Sequence, residues 1–361
     1  MAEEPLSVAV RPVDNLRALA SVWTDLEARA DGSFFQSWAW TGCLAEERFT
    51  DPWLVSAHRG EKPVALGLLN RAARHPLRLD RPLYLGESGV PAMDSVFVEH
   101  NGLLIARGEA ADLADRCWAA LAGVMFKGGR WVLGGVPRSV CPTLPVTGTI
   151  HVRAHRPVPY HELLRTPAPV LDRLSSNARQ QLRRALRSWE AIGPLRLEIA
   201  RDETEAENYL TALKGLHQRY WTGRGKPGAF AEPFFERFHR ALIRRTGIDQ
   251  SVDLIRVTAG AHVVGYLQNF VHGGWVAAYQ SGFDFSPEVE RLKPGMVCHL
   301  LAMEYYRQAG MRTYDFLGGE ARYKRTFANA ETELLWIEVR HKSPWLFGRR
   351  KAAPSYTAQA G

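Results

Sequence analysis

YDFLGGEARYKRTF, residues 314–327, is the stretch on which the reading of this chain turns. Residues 314–316 form a short apolar strand that carries Asp315 near its end, where a carboxylate often faces a cleft. Gly318 and Gly319 make a turn, since glycine enters backbone conformations that other residues avoid. A basic, aromatic run follows. Asp315 either positions a substrate or caps the turn. Glu320 is a general base or a solvated loop acid. Tyr323 gives a proton to a leaving group or packs. Lys324 stabilises a developing oxyanion, contacts a phosphate or meets solvent.

Upstream, residues 252–259, 263–272 and 275–283 read as three consecutive antiparallel strands, turned at Gly260-Ala261 and Gly273-Gly274. After a polar loop, RLKPGM (residues 291–296) opens a helix predicted over 294–310. Proline suits a first helical turn. A helix start offers unpaired N–H groups and the positive end of the dipole, so it can hold a pyrophosphate. Arg291 and Lys293 add charge there, with Gly295 and Met296 beside them. The competing reading is an ordinary cap with a solvated basic flank.

The rest of the chain supplies the frame. Helices are predicted over 14–29, with Asp14 as N-cap, and over 34–47. Strands at 53–58 and 62–69 flank a turn at 59–61. Pro63 must sit at the start or edge of its strand, having no N–H to donate. Short strands at 83–86, 95–98 and 103–105 precede a helix over 110–125 and a strand at 131–136. A long helix over 171–189 ends at Ile192-Gly193-Pro194. A strand at 195–199 and helices at 202–220 and 233–246 lead into the meander, and a strand at 333–340 comes last. Both halves run helix, helix, hairpin or meander, helix, apolar strand, a repeat of element order and not of letters. The expected class is α+β, with two mixed, largely antiparallel sheets flanked by helices.

The 361 residues suit two domains better than one core. A net charge of +8 attracts anions without choosing among cofactor phosphates, nucleic acid, an acidic carrier protein or anionic lipid. Cys43, Cys117, Cys141 and Cys298 form no CxxC pair, so buried thiols are expected and no metal site. No signal-peptide pattern and no membrane-spanning apolar run is read, which predicts a cytoplasmic protein. GxSxG, HExxH and GxxxxGK[ST] are absent; GRGKPG at 223–228 lacks the spacing of a phosphate loop.

FFQSWAW (34–40), SSNARQQLRRALR (175–187), LHQRYWTGRGKPGAF (216–230), YQSG (279–282), Pro294-Gly295 and the opening stretch together resemble a known family. This is the tandem GCN5-related (GNAT) branch associated with bacterial cellulose-biosynthesis loci, related to FemAB-like transferases. The resemblance implies a GNAT-like domain at 1–167, a connecting helix at 168–194, an acyltransferase domain at 195–342 and a loose basic tail at 343–361. It implies acyl-CoA, or an acyl carrier protein, as donor, with Arg291, Lys293, Gly295, Met296 and Tyr279 around it. Direct attack by a primary amine needs a neutral amine, donors for the oxyanion and a proton for the thiolate. The alternatives are aminoacyl transfer from tRNA and a non-catalytic acyl- or carrier-binding module.

Within DSVFVEHNG (94–102), Glu99, His100 and Asn101 reach the amine from the facing domain, or belong to a satisfied turn. His217 and Tyr220, one helical turn apart, are further substrate candidates. Arg179, Arg183 and Arg187 recur every four residues, as a solvated face or an anion dock. The tail WLFGRRK (345–351) is apolar and basic and could touch an anionic membrane surface, which would admit a lipid amine beside small-molecule acceptors. Nucleic acid is not expected as a partner, because too few stacking aromatics accompany the basic residues.

Overall fold

The computed structural model describes residues 4–73, 81–124, 129–142, 148–247, 251–319 and 321–341. The first half runs β1 (Leu6–Pro12), α1 (Leu16–Ala28), α2 (Trp38–Arg48), β2 (Pro52–Arg59), β3 (Lys62–Arg71), β4 (Leu83–Leu85), β5 (Leu104–Ile105), α3 (Leu113–Val124), β6 (Arg130–Pro137) and β7 (Gly148–Glu162). The second runs α4 (Ser176–Ile192), β8 (Leu195–Ile199), α5 (Glu203–Thr222), α6 (Pro233–Thr246), β9 (Val252–Ala259), β10 (His262–His272), β11 (Trp275–Phe283), α7 (Pro294–Gln308), β12 (Thr313–Asp315), α8 (Arg322–Phe327) and β13 (Ala330–His341).

The α+β class holds, and the two expected sheets are fused into one. Its order is β1-β2-β3-β4-β6-β13-β7-β12-β11-β10-β9-β8, with β5 against β3. The fusion is reciprocal. Each half lends its last strand to the other: β7 lies on β12, and β13 lies on β6. The two lent strands pair with each other from Ala330↔Tyr160 to His341↔Gly148. On either side of this seam the halves repeat one motif. β4 and β6 are parallel from Leu83↔Trp131 to Leu85↔Leu133, and β11 and β12 are parallel from Trp275↔Thr313 to Ala277↔Asp315. Short parallel pairs that stop early leave a cleft beyond their last residues.

A shared aromatic core welds the halves. Phe34 stacks on Phe270 at 4.4 Å, and Trp40 meets Phe238 edge-on at 5.0 Å. Thus much of FFQSWAW, quoted above as a family mark, is packing. Burying each such ring contributes roughly 1.5–3 kcal/mol.

Local chemistry explains where the elements depart from expectation. The cap of α1 is Asn15, one residue past Asp14; its Oδ1 accepts from Ala18 N–H at 3.2 Å. The helix expected at 34–47 is broken, because Ser37 ends a 3-10 turn and starts α2, accepting from Trp40 N–H at 3.2 Å. The strand expected at 95–98 is instead a 3-10 turn, Met93–Ser95, and a loop. β1, β7 and α8 were not expected. Pro157 and Pro159 hide β7, and six residues are too few for a helical period. Pro63 sits at the register shift between β2 and β3, where a missing N–H costs least.

Candidate active site

The cleft of the second half opens where β11 and β12 part, after Ala277 and Asp315. On the β11 wall, Gln268 faces Gln280 and Asn269 faces Ala278, so Tyr279 is an extra residue. Such a bulge leaves a peptide outside the ladder and is common beside active sites. On the β12 wall, Leu317 takes a left-handed backbone, φ 57°. That costs a non-glycine residue about 1–2 kcal/mol. Two groups hold it there. Leu317 N–H donates to Asp315 Oδ1 at 2.6 Å. Lys324 Nζ donates to the carbonyls of Leu317 and Gly318 at 3.0 and 2.8 Å. Lys324 therefore staples the turn and keeps a third N–H. Burial pulls its amine below the ordinary lysine range, and the charges of Glu99 and Asp315 oppose this.

The first half roofs this cleft. Gly318 N–H donates to Glu99 Oε2 at 2.6 Å. A Cβ on Gly318 would lie 2.8 Å from the other Glu99 oxygen, so glycine permits the approach. His100 Nε2 lies 2.7 Å from Asp315 Oδ2, off the line of a well-formed hydrogen bond, so charge more than direction holds the pair. Trp275 Nε1–H donates to the same oxygen at 3.1 Å. His100 is also left-handed, at φ 48°. Two strained residues facing each other across one gap is a pattern typical of functional sites. Burial pushes the Glu99 carboxyl upward, partly offset by the Gly318 N–H.

A cavity of about 720 Å³ lies at the start of α7. Arg173, Gln181, Lys293, Arg322, Tyr323 and Arg325 are among its walls, and no acidic residue lines it among those described. No side chain caps α7. Lys293, left-handed at φ 55°, donates from Nζ to Gln181 Oε1 at 2.5 Å. A Cβ on Gly295 would come within 2.9 Å of the Phe283 ring, so glycine lets the helix start close on the end of β11. Uncapped N–H groups, the dipole and the lining cations suit an anion. Tyr323 stacks on His299 at 5.0 Å, and burial keeps its hydroxyl protonated. Burial also lowers His299 to about 3, so that ring is neutral.

The structure thus gathers Glu99, His100, Asp315 and Lys324, and places Lys293, Met296 and Tyr323 on the cavity, with Gly295 at its helix start. Tyr220 lies close enough to Tyr323 to disfavour its ionisation. Arg291 is exposed outside the cavity wall. Three more expected site residues sit elsewhere. Asn101 is buried, and its amide bridges the carbonyls of Leu85 and Gly134 at 3.0 Å each. His217 contacts the Ser281 carbonyl at 3.0 Å and accepts from Ala229 N–H at 3.2 Å, so both ring nitrogens are used. The Tyr279 ring packs in the aromatic core, its hydroxyl donating to the Phe97 carbonyl at 3.2 Å; only its backbone belongs to the cleft. Glu320 and the basic tail lie outside the described residues. Arg179, Arg183 and Arg187 fall on the α4 face turned away from Asn177 and Gln181, the residues that line the cavity. Sequence reasoning missed Arg173, Arg322, Arg325 and Trp275. The two in RYKR were within the quoted stretch, but only the turn of α8 shows which way they serve.

Residues 176–325 match the sequence model of the Acetyltransferase (GNAT) domain. On this match the protein is a transferase of the acyl type. Solved structures give the same fold at low identity. FemX matches with a TM-score of 0.59 at 11% identity, over 93% of this chain and 97% of that one. A conserved protein of unknown function from Bacteroides thetaiotaomicron gives 0.58 at 8%, over 92% and 100%. The C-terminal domain of a putative lysylphosphatidylglycerol synthetase from Agrobacterium fabrum gives 0.53 at 12%, over 90% and 92%. No curated protein matches the chain. Among the described residues no helix is long and apolar enough to cross a membrane, and no group of histidines, cysteines and acids could hold a metal ion.

Proposed function

We propose that the protein moves an acyl group from an acyl-CoA thioester, or from the same phosphopantetheine arm on an acyl carrier protein, to a small-molecule or lipid primary amine. The observation that carries this reading is the cavity at the uncapped start of α7, lined by cations and by no acid among the described residues. It suits a diphosphate, and it adjoins the end of β11, along which an extended arm would run toward the parted strands.

The amine enters from the opposite side. Asp315 shares the sheet face of Trp275 and Ala277, turned toward the loop that carries Glu99 and His100. Tyr314 and Phe316 face α7 and belong to its core. Donor and acceptor therefore meet across the gap that Lys324 spans. The amine nitrogen attacks the thioester carbon, the C–N bond forms and the C–S bond breaks. The free Lys324 N–H and the bulge peptide at Tyr279 stabilise the oxyanion. Tyr323, held protonated beside the donor cavity, supplies the proton to the departing sulfur.

A second reading has one observation in its favour. The fold is shared with FemX and with a putative lysylphosphatidylglycerol synthetase domain, so an aminoacyl ester of tRNA is the competing donor. Thermal-shift titrations with coenzyme A and with aminoacyl-tRNA, followed by thiol release against a panel of amines, separate the two. Stabilisation by coenzyme A and amine-dependent thiol release support the thioester reading. Stabilisation by aminoacyl-tRNA alone would replace it. Coenzyme A binding with no turnover would point to a binding module.

A further inference from the structure

We propose that His100 is the general base of the transfer and Asp315 its positioning partner, so that the reactive pair is divided between the two halves of the chain. This rests on the acyltransferase reading above.

Elimination leads first to His100. Asp315 is fully buried, and both of its oxygens are engaged, by Leu317 N–H and by Trp275 with His100. Glu99 is almost fully buried, at 1% exposure, and its Oε2 accepts from Gly318 N–H. His100 retains 13% of its side-chain exposure. Its Nε2 faces Asp315, and its Nδ1 meets no partner among the described residues. Of the three it is the most exposed, and Nδ1 is the lone pair it turns from Asp315.

Its placement is built. The His100 carbonyl accepts from Ser33 Oγ at 2.7 Å. The next residue, Asn101, is tied to β4 and β6. Trp275 meets the imidazole edge-on at 5.8 Å. The charges acting on the ring are Asp315 from β12 and Glu99 from its own loop, with Trp275 from β11 packed against it. Around them, Lys324 from α8 feels both carboxylates and Arg156 from β7, and Tyr160 from β7 packs on Trp275 and feels Asp315. Burial works to lower the imidazole's basicity, but Asp315 and Glu99 together raise it above the ordinary histidine value.

The step balances without an outside reagent. As the amine nitrogen bonds to the thioester carbon, its proton passes to His100 Nδ1, and Asp315 steadies the imidazolium. The sulfur leaves with the proton from Tyr323. His100 returns its proton to solvent and Tyr323 regains one, so amine and thioester become amide and thiol.

The test is thiol release from an acyl-CoA by the full chain across pH. His100→Asn keeps a residue tolerant of the left-handed backbone. It should lose about 100-fold in kcat with donor KM unchanged, and added imidazole should restore part of the rate. The wild-type rate should fall as pH drops through a value above 6.5, because only neutral imidazole accepts a proton. Asp315→Asn should move that limb to lower pH. Full kcat in His100→Asn, or an unmoved limb in Asp315→Asn, overturns the proposal and leaves the transferase reading standing. No thiol release by the wild type with any amine overturns both.

Discussion

The two clefts of this molecule begin alike and end differently. In each, a parallel pair stops early, and two residues later the chain turns left-handed: Gly135 at φ 65° in the first half, Leu317 at φ 57° in the second. In the first half the gap is closed by the chain itself. Asn101 donates to both diverging strands, through Leu85 and Gly134, and its own N–H reaches Gly135 O at 2.9 Å. A Cβ on Gly135 would lie 2.1 Å from the Val98 carbonyl, so the plug fits tightly. In the second half the residues that reach the gap come from the other half, Glu99 on Gly318 and His100 on Asp315. The helix starts differ as well. α3 carries Asp115 in its first turn, with Asp112 just ahead of it, whereas α7 follows Arg291 and Lys293. One half has kept the frame and filled it; its filling loop then supplies Glu99 and His100 to the other.

That contrast can be broken at its strongest point first. Lys324→Met removes the staple and the free N–H of the open cleft. Acyl transfer should fall about 100-fold while circular dichroism stays native. A loss under threefold would show that the cleft does not depend on it. Asn101→Ala attacks the plug instead. It orphans two buried carbonyls and should cost roughly 1–3 kcal/mol in urea unfolding, with coenzyme A affinity unchanged. If donor binding falls in step with stability, the first half's cleft is part of the donor site. Lys293→Ala and Arg322→Ala should each raise donor KM about tenfold and spare kcat. Arg183→Ala, on the face turned away from the cavity, should change KM less than about twofold.

Much of the frame was legible because its signals are local. Pro233 at a first turn, Asp202 as a cap and the glycine turns of the meander act over a few residues, and those elements fall within one or two positions of expectation. The seam was not legible. In β7, Ile150, Val152 and Ala154 alternate with His151, Arg153 and His155, but Pro157 and Pro159 then break the run and argue against a strand. Its partner β13 follows far along the chain, and strand exchange leaves no trace in either segment alone. The site divides the same way. The residue types in DSVFVEHNG and YDFLGGEARYKRTF marked both segments as polar and turn-rich. That Glu99 meets Gly318, and His100 meets Asp315, is a tertiary fact. Tyr279 shows the reverse error: its ring looked like a ligand contact and is core, while what it brings to the cleft wall is the bulge in β11.

The donor is expected in the second cleft and not in the first. Hydrogen–deuterium exchange with and without coenzyme A tests it most directly. Added protection is expected in the first turn of α7 and in α8, with no change in β4 or β6. Protection in that first-half region, or none anywhere with coenzyme A but clear protection with aminoacyl-tRNA, would contradict it.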